Sequence, residues 1–194
     1  MPSIEEIKQL REETGVSVSE CKKALEKAGG DLAKAKEILR KLGMELAGKK
    51  SERTAASGIV DSYIHMAGRV GVLLELRSET DFVSRSELFK NLAHEICLHI
   101  AAAGPLFISE DDIPEEFLDG EKKIYSEQLK NSGKPENLLN QIVAGKIKKY
   151  KESVCLLSQP WIKDDQKNIK QLLEDYVAKL GENIVVKKFA RFEI

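Results

Sequence analysis

With 194 residues, 42% of them hydrophobic and 32% charged, the chain has room for one larger or two smaller domains and is excluded from the disordered class. Its 31 Lys and Arg nearly balance 32 Asp and Glu, so the net charge of −1 gives no drive toward nucleic acid or an anionic membrane. A protein partner fits better. Cys21, Cys97 and Cys155 are odd in number, far apart and set among apolar residues in helical patterns, which reads as reduced core or boundary thiols. The start, Met1-Pro2-Ser3-Ile4, lacks a basic and apolar leader, and no apolar run approaches the ~18 residues of a membrane span. The cytoplasm is the expected location.

In chain order, Ser3 with Glu6 forms a capping box that predicts a short helix stopping near Gly15. Ser17 with Glu20 opens a second, carrying Val18, Cys21, Ala24 and Leu25 and ending at Gly29-Gly30. Asp31 caps a third, with Leu32, Ala35, Ile38, Leu39 and Leu42 at helical spacing and Gly43 as its stop. From Gly43 to Ser57 the apolar periodicity fades and Lys49, Lys50 and Arg53 accumulate, so a linker, helical in part, is expected. Within it Gly43-x-x-x-x-Gly48-Lys49-Lys50 approaches a phosphate-binding loop, but Lys50 replaces the Mg²⁺-binding hydroxyl and a helix precedes it instead of a strand.

Residues 58–66 and 70–77 read as a β-hairpin turning at Ala67-Gly68-Arg69. Thr80-Asp81-Phe82-Val83 then occupies a strand-to-helix corner. Two local readings stand there: Asp81 caps the helix and Phe82 plugs the core, or both are presented outward, as connections on rigid scaffolds often do. Ser84 with Glu87 predicts the start of a helix bearing Leu88, Phe89, Leu92, Ala93, Ile96 and Ile100, ended by Gly104-Pro105. An acidic turn, Glu110 to Glu116, leads to a helix through about Lys130. Lys134-Pro135 starts another, expected to break or kink at Gly145. Ser158 to Ile162 should be extended, Asp165 should cap a last helix from Ile169 to Leu180, and Gly181 should end it. Ile184 to Ile194 alternates, with Ile184, Val186, Ala190, Phe192 and Ile194 on one face and Lys187, Phe189, Arg191 and Glu193 on the other. As a closing strand it would make the hairpin a three-stranded antiparallel sheet packed with helices, an α+β fold.

Signals for catalysis are sparse. His94 and His99 sit five apart on one predicted helix and project roughly 140° from each other. His94 with Cys97 supplies only two ligands of a zinc set. No nucleophile elbow, metalloprotease or paired-cysteine motif occurs, and the acidic run lacks the spacing of a calcium loop. No metal, cofactor or enzyme activity is expected. A hydrolase would need His65 or His94 beside a nucleophile, and an RNA-binding accessory role would use Lys49, Lys50, Arg53, Lys187, Lys188 and Arg191.

Four stretches resemble the short form of the bacterial elongation factor Ts family, along essentially the whole chain. They are Leu10 to Gly15 with Glu20-Cys21-Lys22-Lys23-Ala24-Leu25; Val70 to Leu73 through Glu79 to Val83; Gln159-Pro160 with Lys163-Asp164-Asp165; and Gly181-Glu182-Asn183 to Val186 with Arg191-Phe192. One departure is Val16-Ser17-Val18-Ser19, where that family usually carries small residues and methionine. The resemblance implies a three-helix ubiquitin-associated-type domain at 1–45, a linker at 46–57 and an α+β core at 58–194 that pairs two copies as a homodimer. It also implies a guanine-nucleotide exchange factor for elongation factor Tu. Thr80, Asp81, Phe82 and Val83 would disturb that partner's Mg²⁺ and phosphate site, and Cys21, Lys22, Lys23 and Leu25 would serve N-terminal docking, with no nucleotide, nucleic acid or membrane bound by this chain.

Overall fold

A computed structural model describes residues 2–130 and 135–194. Lys134, expected to begin a helix, lies outside the described residues. Three helices open the chain: α1 (Ile4–Thr14), α2 (Val18–Lys27) and α3 (Leu32–Lys50). Ser3 and Glu6 form the reciprocal box at α1, Gly15 closes it with a left-handed φ of 69°, and Ser17 and Asp31 cap the next two. Leu10, Cys21, Ala24, Leu25, Ala35 and Leu39 make a small core between them.

Gly43 does not stop α3. The helix runs seven residues further to Lys50, because Ala47 packs on the main core. A Cβ built on Gly43 would meet Ala178 at 3.4 Å in ordinary contact, so α3 lies along a later helix there. The anticipated linker therefore begins inside α3, and the glycine-lysine pattern is helical, which removes the loop a phosphate would need.

The sheet has β2 (Val70–Ser78) at its centre, flanked by β1 (Ser57–His65) and β5 (Ile184–Glu193), all antiparallel. Between α4 (Asp81–Ser84) and α5 (Glu87–Ala103) Ser86 is the cap, its hydroxyl accepting from the Phe89 N–H; Ser84, the expected cap, instead ends α4. Then come α6 (Glu115–Leu129), α7 (Glu136–Val154), a two-stranded ribbon of β3 (Pro160–Trp161) and β4 (Asp164–Asn168), and α8 (Ile169–Leu180). The ribbon displaces the expected Asp165 cap: Asn168 caps α8 with a reciprocal Gln171 bond. Ser158 belongs to a short 3₁₀ turn rather than an extended segment. Gly145 does not break α7, where Val143, Ile147, Tyr150 and Val154 keep the apolar spacing and glycine costs only about 1 kcal/mol against alanine.

One face of the sheet is covered. Val70, Val72, Leu74 and Leu76 of β2 pack against Phe89, Leu92, Ala93, Ile96 and Ile100 of α5 and Ile169, Leu172 and Val177 of α8. Each such side chain contributes roughly 1.5–3 kcal/mol on burial. The register of β5 slips once, Leu76 facing Val186 and Glu75 facing Lys188, so Lys187 is an extra residue. The slip exchanges the faces expected for the strand's second half. Phe189 and Arg191 turn toward the core side opposite Leu74 and Val72, while Phe192 and Ile194 are 70% and 89% exposed. Arg191 uses its position to donate to the Ala101 carbonyl near the end of α5.

Candidate functional site

The corner after β2 presents its residues in two directions. Thr80 is extended (φ −123°, ψ 159°) and its hydroxyl accepts from the Val83 N–H, so Thr80, not Asp81, is the cap of α4. A single helical turn then sends Val83 and Ser84 inward, 6% and 3% exposed, and Asp81 and Phe82 outward. Phe82 is 84% exposed, which overturns the reading of it as a core plug. Among the described residues the Asp81 carboxylate pairs only with Arg85, 3.1 Å away on the same surface. An apolar ring and a carboxylate thus stand side by side in solvent on an ordered turn.

The turn is fastened from behind. The Glu182 carboxylate accepts from both the Thr80 N–H (3.0 Å) and the Thr80 hydroxyl (2.6 Å). The Asn183 N–H donates to Glu79 (2.7 Å), and its side-chain amide donates to the carbonyls of Arg53 (2.8 Å) and Ser51 (3.4 Å). Ser78 donates its hydroxyl to the Thr80 carbonyl, and Ser84 and Ser57 share a bond of 3.3 Å. Sequence reasoning assigned no role to Glu182 or Asn183. Their partners lie more than a hundred residues away, and the only local signal was their place in a family block.

The N-terminal residues divide. Cys21 and Leu25 are 0% exposed and have no surface to offer a partner; they hold α2 to its neighbours. The Cys21 thiol donates to the Val16 carbonyl, and burial raises its pKa. Lys22 and Lys23 are exposed, beside Glu26 (3.9 Å) and Glu20 (2.9 Å). Burial pushes the Cys97 thiol up to about 12 and the Cys155 thiol up to about 11, so neither is a ready thiolate nucleophile.

The histidines do not converge on a nucleophile. Tyr63 bonds His65 at 2.8 Å, His94 lies 3.8 Å from Asp61, and His99 is buried against Gln159. Several cations considered for RNA are engaged within the chain: Lys49 with Glu45, Lys50 with the Gly181 carbonyl, Arg53 with Glu79 and Arg191 with Glu193. Among the described residues no helix is long and apolar enough to cross a membrane.

A rigid corner that holds an aromatic ring and a carboxylate in solvent, beside a small helical unit, defines a protein that works by contact on another macromolecule. A family model described as Elongation factor TS matches residues 5–194. Proteins called Elongation factor Ts are similar over the full chain: one from Caldanaerobacter subterraneus subsp. tengcongensis is 50% identical, the match covering 96% of it. One from Acetivibrio thermocellus is 48% identical, with 90% of it covered. The chain belongs to the elongation factor Ts family, the guanine-nucleotide exchange factors of elongation factor Tu.

Proposed function

We propose that the chain accelerates GDP release by placing Asp81 and Phe82 against the Mg²⁺ and phosphate site of elongation factor Tu. The observation that carries this reading is the 84% exposure of Phe82 on a turn fastened to the scaffold. Bound Mg²⁺ and the amides around a diphosphate supply much of a nucleotide's affinity, so displacing them raises its off-rate. Asp81 brings a competing negative charge, and the Phe82 ring enters an apolar gap and keeps it open. Thr80 and Val83 hold the turn rather than touch the partner. Linkage fixes the cycle: whatever factor this protein takes from GDP affinity, GDP takes from the protein's affinity, so GTP later expels it.

Residues 1–45 act as the docking unit in this reading, with Lys22 and Lys23 as its contacting cations and Cys21 and Leu25 as its support. Residues 46–57 connect it to the core at 58–194. The uncovered sheet face pairs two copies: Val60 (71% exposed), Ile64 (65%), Leu73 (51%) and Phe192 form an apolar surface there, flanked by Glu75 and Lys188. Nothing in the reading requires a cofactor, bound nucleotide or nucleic acid, and the work is done in the cytoplasm. Stopped-flow release of labelled GDP from elongation factor Tu tests it. Acceleration on adding the protein is the expected result, and an unchanged rate would remove the reading.

A further inference from the structure

We infer that Glu182 and Asn183 are positioning residues for exchange, holding the Asp81–Phe82 turn and the end of α3 in one register so that docking and displacement act as a single rigid tool. This rests on reading that turn as the displacing element. The need for outside support follows from its size. A four-residue helix has too few internal bonds to fix its own orientation, and α4 buries only Val83 and Ser84. An element that must push on a partner yields unless something opposes the load.

The turn after α8 supplies that opposition. Gly181 ends α8 in the left-handed region, φ 76°, which sets the direction of the next two residues. Glu182 grips the displacing turn with two bonds from one carboxylate to one residue, Thr80; charge-assisted pairs of this kind are short and directional. Asn183 is 5% exposed and grips two other elements. Its N–H holds Glu79, the residue just before the turn, and its amide holds the carbonyls of Ser51 and Arg53, the chain leaving α3. Two further links tie the same places together: Arg53 lies 3.6 Å from Glu79, and Lys50, the last residue of α3, donates to the Gly181 carbonyl. The orientation of the docking helices and that of Phe82 therefore meet at residues 181–183. The Arg53–Glu79 ion pair spans the same junction.

The consequence separates two kinetic quantities. Loosening the grip leaves the docking surfaces intact but lets the turn give way, so the maximal exchange rate falls while the half-saturating concentration of the protein stays. In labelled-GDP release at varied concentration, Glu182→Ala should lower the maximal rate about tenfold, the size expected for losing a charge-assisted pair, with the half-saturating concentration within about twofold. Glu182→Gln keeps an acceptor and should fall between. Thr80→Val removes the α4 cap and one of the two bonds to Glu182 but keeps the Thr80 N–H bond, so it should also slow exchange; Thr80→Ser should restore the rate, and the double variant Thr80→Val with Glu182→Ala should lose less than the sum of the two single losses. Asn183→Ala should lower the rate and also weaken docking, because α3 loses its register. Melting of the Glu182 variants should fall by no more than about 6 °C, the shift one such pair is worth in a chain of this size, so the fold stays intact in the assay. Should Glu182→Ala melt early, Glu182→Gln, which keeps the size of the side chain and an acceptor for Thr80, carries the test. Unchanged maximal rates, or additive losses in the double variant, with Phe82→Ala still slow, would overturn this inference and leave the displacing role standing. A normal rate for Phe82→Ala would overturn both.

Discussion

Residues 20–25 and 80–83 are the two segments through which family resemblance placed the partner contacts, and the fold treats them in opposite ways. In the first, Cys21 and Leu25 are 0% exposed; in the second, the largest apolar side chain, Phe82, is 84% exposed. The difference follows from what each has to support. The three-helix unit has a core of six buried side chains, so its characteristic residues are consumed in holding it together. The corner is held through the bonds of Glu182 and Ser78 to Thr80, with Asn183 holding Glu79 just before it, which leaves its aromatic ring in solvent. A signature residue marks a contact only where something else provides the stability.

The comparison can be broken most directly at its two extremes. Leu25→Ala empties a fully buried site in the small core and should cost about 2–5 kcal/mol, seen as early loss of helical signal on heating. Phe82→Ala should change stability by less than about 0.5 kcal/mol yet slow GDP release at least about tenfold. If Phe82→Ala melts early, the ring is structural and the two segments are alike after all.

Much of the architecture was legible because it is written in local chemistry. The Ser3, Ser17 and Asp31 caps, the left-handed Gly15, Gly104 and Gly181, and the alternation of Val70 to Leu76 are all short-range signals, and each appears where it was read. The misreadings share a different cause. Gly43 reads as a stop unless one knows that Ala47 finds the core, and Asp165 reads as a cap unless one knows that β4 pairs with β3. The extra residue at Lys187 reverses the faces of Phe189 and Phe192, and only the facing strand reveals it. At the corner, sequence could propose Asp81 and Phe82 but not their exposure, which depends on Val83 and Ser84 taking the inward positions. Glu182 and Asn183 were invisible for the same reason: the contacts that define them span the chain.

Two smaller effects sharpen the contrast between contact and support. Phe192 is a second exposed aromatic, on the open sheet face; on the proposal that this face pairs two copies, the protein should sediment as a dimer and Phe192→Glu as a monomer with its melting nearly unchanged. Retention of the dimer would exclude that face. Lys22→Ala with Lys23→Ala removes only exposed ion pairs, worth well under about 1 kcal/mol each, so stability should hold. Association with elongation factor Tu should slow, and lose part of its salt dependence. An unaltered on-rate would take the lysines out of the docking surface.

The smallest effect separates the two units by pH. His99 is 0% exposed, one ring nitrogen bonded to Gln159 at 2.9 Å and Nδ1 buried without a hydrogen-bond partner among the described residues. Burial lowers its pKa from the ordinary 6.5, the Gln159 bond opposing this only in part. Because the unfolded chain takes up the proton more readily, the stability contributed by neutral His99 is complete above about pH 6.5 and is lost as pH falls below it toward the depressed native value. All three histidines, His65, His94 and His99, lie in the core and none in residues 1–45. Thermal unfolding followed from pH 7.5 down to about 5.5 should therefore show the core weakening while the three-helix unit is untouched by this group. His99→Gln keeps a partner for Gln159 but cannot titrate, and should flatten the core's pH dependence. An identical slope in both proteins would mean that other groups set the acid response, and that burial of this ring leaves no mark on the stability of the scaffold behind the corner.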